Sequence, residues 1–430
     1  MARRLDASSK DFDAEFAKVR DSKREAEEDV SRAVKEIVAH VRAEGDAALI
    51  ALSRRFDKAE LTPATLRVGV EEIEAAERSC PNDAREALHY AAERIRAYHS
   101  RQLPKDERFT DAAGATLGWR WGPLQSVGLY VPGGTASYPS SVLMNAMPAG
   151  VAGVPRIVMT TPASGGAINP LTLVAAKIAG VSEIYRVGGA QAVAALAYGT
   201  ATIAPVDKIV GPGNAYVAAA KREVFGQVGI DSIAGPSEVL VVADALNDPA
   251  WIAADLLAQA EHDSSSQSIL ITDDATFGNL VAAAVETQLK TLPRTAIASA
   301  AWRDHGAIIV VANLEDAAPL IDAIAPEHLE IATANPEILL AKVKNAGAIF
   351  LGRYTPEAIG DYVAGPNHVL PTSRTARFSS GLSVLDFMKR TSILSCDAET
   401  LRKLAPAALS LADAEGLSAH ARSISIRLNA

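Results

Sequence analysis

The sequence of 430 residues predicts an α/β protein: two bodies built on parallel sheets, helices ahead of them and a helical tail behind. Three observations predict it. Strand-like apolar runs alternate with helix-length segments from residue 156 to 225. A second alternating series runs from 238 to 351. Residues 11–103 and 398–427 instead carry apolar positions at helical spacing. Such a length suggests two or more domains, or one large α/β body with appendages. With 49% hydrophobic and 22% charged residues, the core can be large.

In chain order, residues 25–54 show helical periodicity with a break at Gly45. Pro81 suits the first turn of a helix running through Ala87, Ala91 and Ile95. These helices are charged outside and Ala/Leu/Ile inside, so they read as packing and dimer-contact elements. Residues 119–131 predict a hairpin or two strands around Gly122-Pro123. A glycine turn at 132–134 leads to a helix over 140–150. Strands follow at 156–159, 183–187 and 208–210, with helices at 171–179, 190–198 and 214–225. The second series has strands at 238–242, 268–272, 307–311 and 348–351, each separated by a helical segment. A Pro/Gly/Ser-rich passage at 365–381 leads to the tail.

Net charge is -9 and the pI near 5.5, which speaks against a nucleic-acid surface. No run is long enough to span a bilayer, and the two arginines near the start have no apolar stretch behind them. The expectation is a soluble, cytoplasmic protein. Cys80 and Cys396 form neither a CxxC pair nor a disulfide framework, which fits a reducing compartment. Both read as small apolar fillers, not nucleophiles.

Candidate chemistry lies in a few places. Gln259 and His262, three apart at the end of the helical run 249–257, share one helix face. Imidazole is the commonest zinc ligand and a carboxamide oxygen a weaker one; the alternative is that His262 caps its helix. Pro326-Glu327-His328 sets a carboxylate beside an imidazole. On an extended segment the two point to opposite faces, so they would serve different tasks, or one would be structural. Asp361 and His368 flank Gly365-Pro366-Asn367, and Glu415 and His420 flank Gly416. Gln259, His262, Asp361 and His420 would make a mixed N/O set suited to zinc. For the tail, the alternative is a solvated helix end with Gly416 as its stop.

Glycine-rich turns follow three strands, at 132–134, 188–189 and 211–213. Such turns feed helix N-termini and suit a phosphate or a dinucleotide. The dinucleotide fingerprint is broken, because Tyr216 stands at the third-glycine place and Asp231 does not end an obvious strand. A nicotinamide cofactor would bind in a non-standard way, and each turn alone also fits an ordinary tight connection.

Seven runs together resemble the histidinol dehydrogenase family. They are 128–135 (GLYVPGGT), 206–214 (VDKIVGPGN), 234–239 (AGPSEV), 258–263 (AQAEHD), 326–330 (PEHLE), 365–368 (GPNH) and 411–416 (LADAEG). The resemblance covers nearly the whole chain. It implies a zinc- and NAD-dependent oxidoreductase that takes L-histidinol through L-histidinaldehyde to L-histidine, reducing two NAD in succession. Carried over, Gln259, His262, Asp361 and His420 are the metal ligands, holding one zinc ion per subunit. Glu327 and His328 are the acid/base pair, and Tyr130, Gln191 and Asn214 are NAD contacts. Ser237, His368 and Glu415 are further substrate contacts, joined by His328 and the four metal ligands. No thiol step is required.

The resemblance also implies a homodimer in which one subunit's tail completes the other's site. The implied fold is aldehyde-dehydrogenase-like, with two incomplete Rossmann-like three-layer α/β/α domains. The expected partition is an N-terminal helical segment (1–24), a discontinuous α/β domain carrying most of the active site (25–129 plus 236–381), an inserted NAD-binding domain (130–235) and a C-terminal helical tail (382–430). The rival inside the superfamily oxidises another small alcohol, such as a sulfopropanediol. The rival outside it is an idle NAD- or metal-binding regulator. Glu327, His328 and the four candidate ligands standing together weigh against the second, and Glu415, Gly416 and His420 against the first.

Overall fold

A computed structural model describes residues 2–21, 28–133 and 138–429. Gly134 of the first glycine turn and Glu25 at the start of the first helical run lie outside the described residues.

Residues 126–230 build a five-stranded parallel sheet. Its strands are Ser126–Tyr130, Arg156–Thr160, Glu183–Tyr185, Lys208–Val210 and Gly229–Ile230. They lie side by side in the order third, second, first, fourth, fifth. This is the Rossmann winding without its sixth strand. The crossovers are the helices Pro139–Ala152, Pro170–Ala179, Gly189–Tyr198 and Ala215–Val224. Parallel strands are buried on both faces, which is why Ile157, Val158 and Met159 form an unbroken apolar run. One face is covered by Pro139–Ala152, Pro170–Ala179 and the long helix Asn82–Ser100. The other is covered by Gly189–Tyr198 and Ala215–Val224, with Glu28–Glu44 and Asp46–Asp57 outside them. Gly45 separates the last two at φ +56°, the expected break.

The helices Glu28–Glu44 and Asp46–Asp57, grouped with residues 236–381 in the expected partition, pack on this sheet, while Asn82–Ser100 also reaches residues 363–364 through Arg94. The stripe Val34, Val38, Val41, Leu49 and Leu52 meets Val193, Ala197, Val217 and Ala220, and that apolar match decides the side.

The second sheet has six parallel strands. In spatial order they are Arg3–Asp6, Ala307–Val310, Gln267–Thr272, Glu238–Ala243, His328–Ala332 and Ala348–Leu351. From Glu238 onward the winding repeats that of the first sheet, with the N-terminal strand added at one edge. The first residues thus correct the helical expectation for 1–24: Arg3–Asp6 is a strand, with Leu5 opposite Ile309 and buried, and the helix Phe12–Arg20 comes after it. Along His328–Ala332 the side chains alternate. Leu329 and Ile331 enter a core layer with Phe16 and Ile321. His328 and Glu330 face the other way, toward the helix Pro249–Ala260.

Of the two readings of 119–131, a hairpin or two strands, the second holds: the strands belong to different sheets. Thr116–Pro123 is the middle strand of a small antiparallel sheet, between Glu107–Thr110 and Met388–Ser395. Asp207 turns the chain out of it, its carboxylate accepting from the Gln125 and Ser126 N–H groups at 3.0 Å each. The C-terminal part is accordingly not all helix: it opens with the strand Met388–Ser395, then the helices Ala398–Ala414 and Ser418–Ser425. Gly416 joins the two helices at φ +70°. These helices pack chiefly on each other and leave Leu411, Leu417 and Ile426 exposed. Cys80 is a buried filler as expected, whereas Cys396 is exposed.

Candidate active site

In the six-stranded sheet the chemistry gathers at the amino ends of two neighbouring strands. His328 opens one and Glu238 the other, and Glu327 precedes His328. At the opposite, carboxyl ends the loop after Glu238–Ala243 is tied to the end of the strand His328–Ala332. There the Asn247 carboxamide donates to the Ala332 carbonyl at 2.6 Å, and Asp244 accepts from the Ala334 N–H at 2.7 Å.

His328 is 4% exposed. Its Nδ1 sits 3.0 Å from the Glu238 carbonyl oxygen, an acceptor, so Nδ1 carries the proton. Nε2 then holds a lone pair, and it is buried without a hydrogen-bond partner among the described residues; Asp361 Oδ1 lies 3.8 Å away. Burial pushes the imidazole down to about 3, against the pull of its bond to Glu238. His328 is therefore neutral. Glu327 Oε2 accepts from the Glu238 N–H at 3.0 Å and lies 3.7 Å from His328 Nδ1. The expectation that Glu327 and His328 point to opposite faces fails, because Glu327 lies ahead of the strand and escapes its alternation.

Around this histidine stands a buried acid cluster. Glu357, first residue of the helix Glu357–Tyr362, puts Oε1 3.7 Å from His328 Nδ1. The fully buried Gln259 amide, oriented to satisfy its neighbours, donates to Glu357 Oε1 at 2.6 Å and accepts from the Glu238 N–H at 3.2 Å. Glu330 Oε1 accepts from the Glu357 N–H at 2.7 Å, and its carboxyl bonds Asp255 one turn before Gln259. Burial raises these carboxyls. Asp361 goes to about 7 and Asp255 to about 6. Glu357 and Glu330 go well above the usual range, each raised further by its acidic neighbours. His368 bonds the Asp361 carbonyl oxygen through Nδ1 at 3.1 Å, and burial pushes it down to about 4.

One ligand atom each from His328, Glu357 and Asp361 lies within 4.8 Å of the others. The Asp361 carboxyl, the Gln259 carboxamide and the His262 imidazole, near enough to act on both His328 and His368, form an N/O donor set that a divalent cation of the zinc type would satisfy. The residues present fit such an ion.

The five-stranded sheet offers its other end. At the carboxyl ends of its first and fourth strands the winding reverses, and the turns at 131–133 and 211–213 face each other there. A Cβ on Gly211 would collide with the Tyr130 carbonyl, so only glycine permits this approach. The Tyr130 hydroxyl accepts from the Gly189 N–H at 3.1 Å, and burial pushes its pKa up to about 12. Gln191 is buried in the first turn of Gly189–Tyr198. Asn214 is exposed and caps the next helix, accepting from the Tyr216 and Val217 N–H groups.

The sequence-predicted residues thus fall into three groups. Gln259, Glu327, His328, Asp361 and His368 come together, with His262 just past the helix end and Ser237 beside Glu238. Tyr130, Gln191 and Asn214 stand at the other sheet. Glu415 and His420 are exposed on the tail, outside the cluster. Sequence reading missed Glu357, Glu238, Glu330 and Asp255. Glu330 had a signal, its two-residue spacing from His328 on a strand, and Asp255 its four-residue spacing from Gln259 on a helix. Pro356-Glu357 reads only as a helix start.

Two doubly wound bodies, one with a buried histidine–carboxylate centre and one with a glycine-lined switch point, define an α/β enzyme. A family model described as histidinol dehydrogenase matches residues 20–428. Histidinol dehydrogenases of Mesorhizobium japonicum and Brucella suis biovar 1 are 66% and 64% identical over 429 residues, covering 100% of each chain. The crystal structure of histidinol dehydrogenase from Elizabethkingia anophelis superposes with a TM-score of 0.94 at 37% identity, covering 100% of this chain and 98% of that one. The chain belongs to the histidinol dehydrogenase family.

Proposed function

We propose that the protein oxidises L-histidinol to L-histidine through L-histidinaldehyde, reducing two NAD in succession, as a zinc-dependent homodimer. The observation that carries this reading is His328: buried, neutral, its Nδ1 tied to Glu238 and its Nε2 free inside an acid-lined centre. An imidazole held in one tautomer with an idle lone pair is suited to take the proton from a substrate hydroxyl as hydride leaves. Glu327, beside it, would take the proton of the water that adds to the aldehyde. The zinc ion would be held by Gln259, His262 and Asp361, with His420 from the second subunit's tail; when bound, it supplies a template for the substrate's imidazole and amine. Ser237, His368 and Glu415 would orient the substrate. Tyr130, Gln191 and Asn214 would hold NAD at the switch point. Family membership at this identity favours histidinol over another small alcohol.

The test is the NADH formed per L-histidinol consumed, with and without a chelator. Two NADH per substrate, lost on chelation and restored by zinc, is the expected result. A folded, zinc-loaded protein that forms none would remove histidinol as the substrate.

A further inference from the structure

Beneath the turn at 211–213 lies an ion pair that the mechanism does not use. Lys221 is 2% exposed and its partner Asp231 is 5% exposed at the side chain. Lys221 Nζ donates to the Gly211 carbonyl oxygen at 3.1 Å, and Asp231 Oδ2 accepts from the Gly211 N–H at 2.8 Å. The two charged groups also touch each other, closing a ring around the backbone of one residue, Gly211, and holding the peptide units on both its sides. Lys221 belongs to the helix Ala215–Val224 and Asp231 follows the edge strand Gly229–Ile230. The pair therefore ties the turn to the helix after it and to the strand beyond.

We infer that Lys221 and Asp231 are positioning residues for the dinucleotide: they fix the two peptide units flanking Gly211, and with them Asn214 and Tyr130, in the orientation that receives NAD. The inference rests on the NAD reading above. A buried ion pair is not needed for stability, since apolar groups of similar volume serve a core as well or better. Apolar groups would, however, leave both polar groups of Gly211 without these partners. Gly211 has φ +114° and packs under the Tyr130 carbonyl, so rotating either flanking peptide would press on the residue that also anchors Gly189. One clamp thus sets both glycine turns. It touches nothing at the histidine–carboxylate centre.

The test measures two affinities in the same protein. NADH and L-histidinol are each titrated into the zinc-loaded full-length enzyme, wild type, Asp231→Asn and Lys221→Met, with folding checked by circular dichroism. The Asp231→Asn change keeps an oxygen for the Gly211 N–H but removes the charge that holds Lys221. NADH affinity should fall about tenfold or more in the folded variants while L-histidinol affinity stays within about twofold. Should Lys221→Met not fold, Asp231→Asn decides alone, and Asp231→Glu, which keeps the charge, should recover part of the lost affinity. NADH affinity unchanged in a folded Asp231→Asn, or both affinities falling together, would overturn the clamp. A wild-type protein that binds no NADH would instead overturn the cofactor reading.

Discussion

At the scale of the residue, His328 is defined by the difference between its two ring nitrogens. Nδ1 has a carbonyl partner, and Nε2 has none among the described residues. Replacing His328 by Asn removes the lone pair in a residue of smaller volume. Turnover should fall about 10²–10⁴-fold with the circular dichroism spectrum unchanged, the usual weight of a positioned proton acceptor. A turnover within twofold of wild type would take the base role from His328. Glu327→Gln separates the two half-reactions. If Glu327 activates the water, a single-turnover experiment should show a first NADH at near-normal rate and a delayed second one. Equal slowing of both would place Glu327 in the first step too.

At the scale of the element, the strand His328–Ala332 presents Glu330 to Asp255 of the helix behind it. Glu330 and Asp255 are hydrogen-bonded carboxyls with raised pKa values. The folded state therefore binds a proton more tightly than the unfolded chain does. The stability from this pair is fully present below the ordinary carboxyl range, near pH 4, and is lost as pH rises through about 6, the raised value of Asp255. Glu330→Gln keeps an oxygen for the Glu357 N–H and removes one ionisable group. In the presence of a chelator, thermal unfolding of this variant should gain on wild type between pH 5 and pH 8. A constant difference across that range would mean the pair does not carry a shared proton.

Elements of this kind were legible where one local rule decided them. Lys208–Val210 and Ala348–Leu351 appear where apolar runs and flanking glycines put them. The partners of Thr116–Pro123 were not legible, because Met388–Ser395, far along the chain, supplies one whole side of its pairing. Of the site, Gln259 and His328 were visible inside two of the resembling runs, and Asp361 as an acid a few residues ahead of a third. Glu357 was hidden, since a glutamate at a helix start is ordinary until the fold buries it.

At the scale of the whole molecule, the exposed tail is the feature that asks for a second copy. Leu411, Leu417 and Ile426 lie open on helices that pack chiefly on each other. If one subunit's tail completes the other's centre, mixing inactive His420→Ala with the nearly inactive His328→Asn should restore activity, because mixed dimers contain one intact site. With free subunit exchange the mixture should reach about a quarter of wild-type activity, half the dimers being mixed and each with one good site of two. No recovery after exchange is verified by mass would place the tail in its own subunit's site.

The two sheets share a winding order yet put opposite ends to use. In a parallel α/β layer the helices run against the strands. The helices ending at Ala260, His305 and Ile324 therefore bring their carbonyl ends to the amino edge of the six-stranded sheet. The helices starting at Gly189 and Ala215 bring their N–H ends to the carboxyl edge of the five-stranded one. Peptide dipoles make the first edge attractive to cations and the second to anions. A single repeated pattern, read from opposite directions, thus sorts charge within one molecule: one wall favours a cation and the other an anion, before any side chain is chosen.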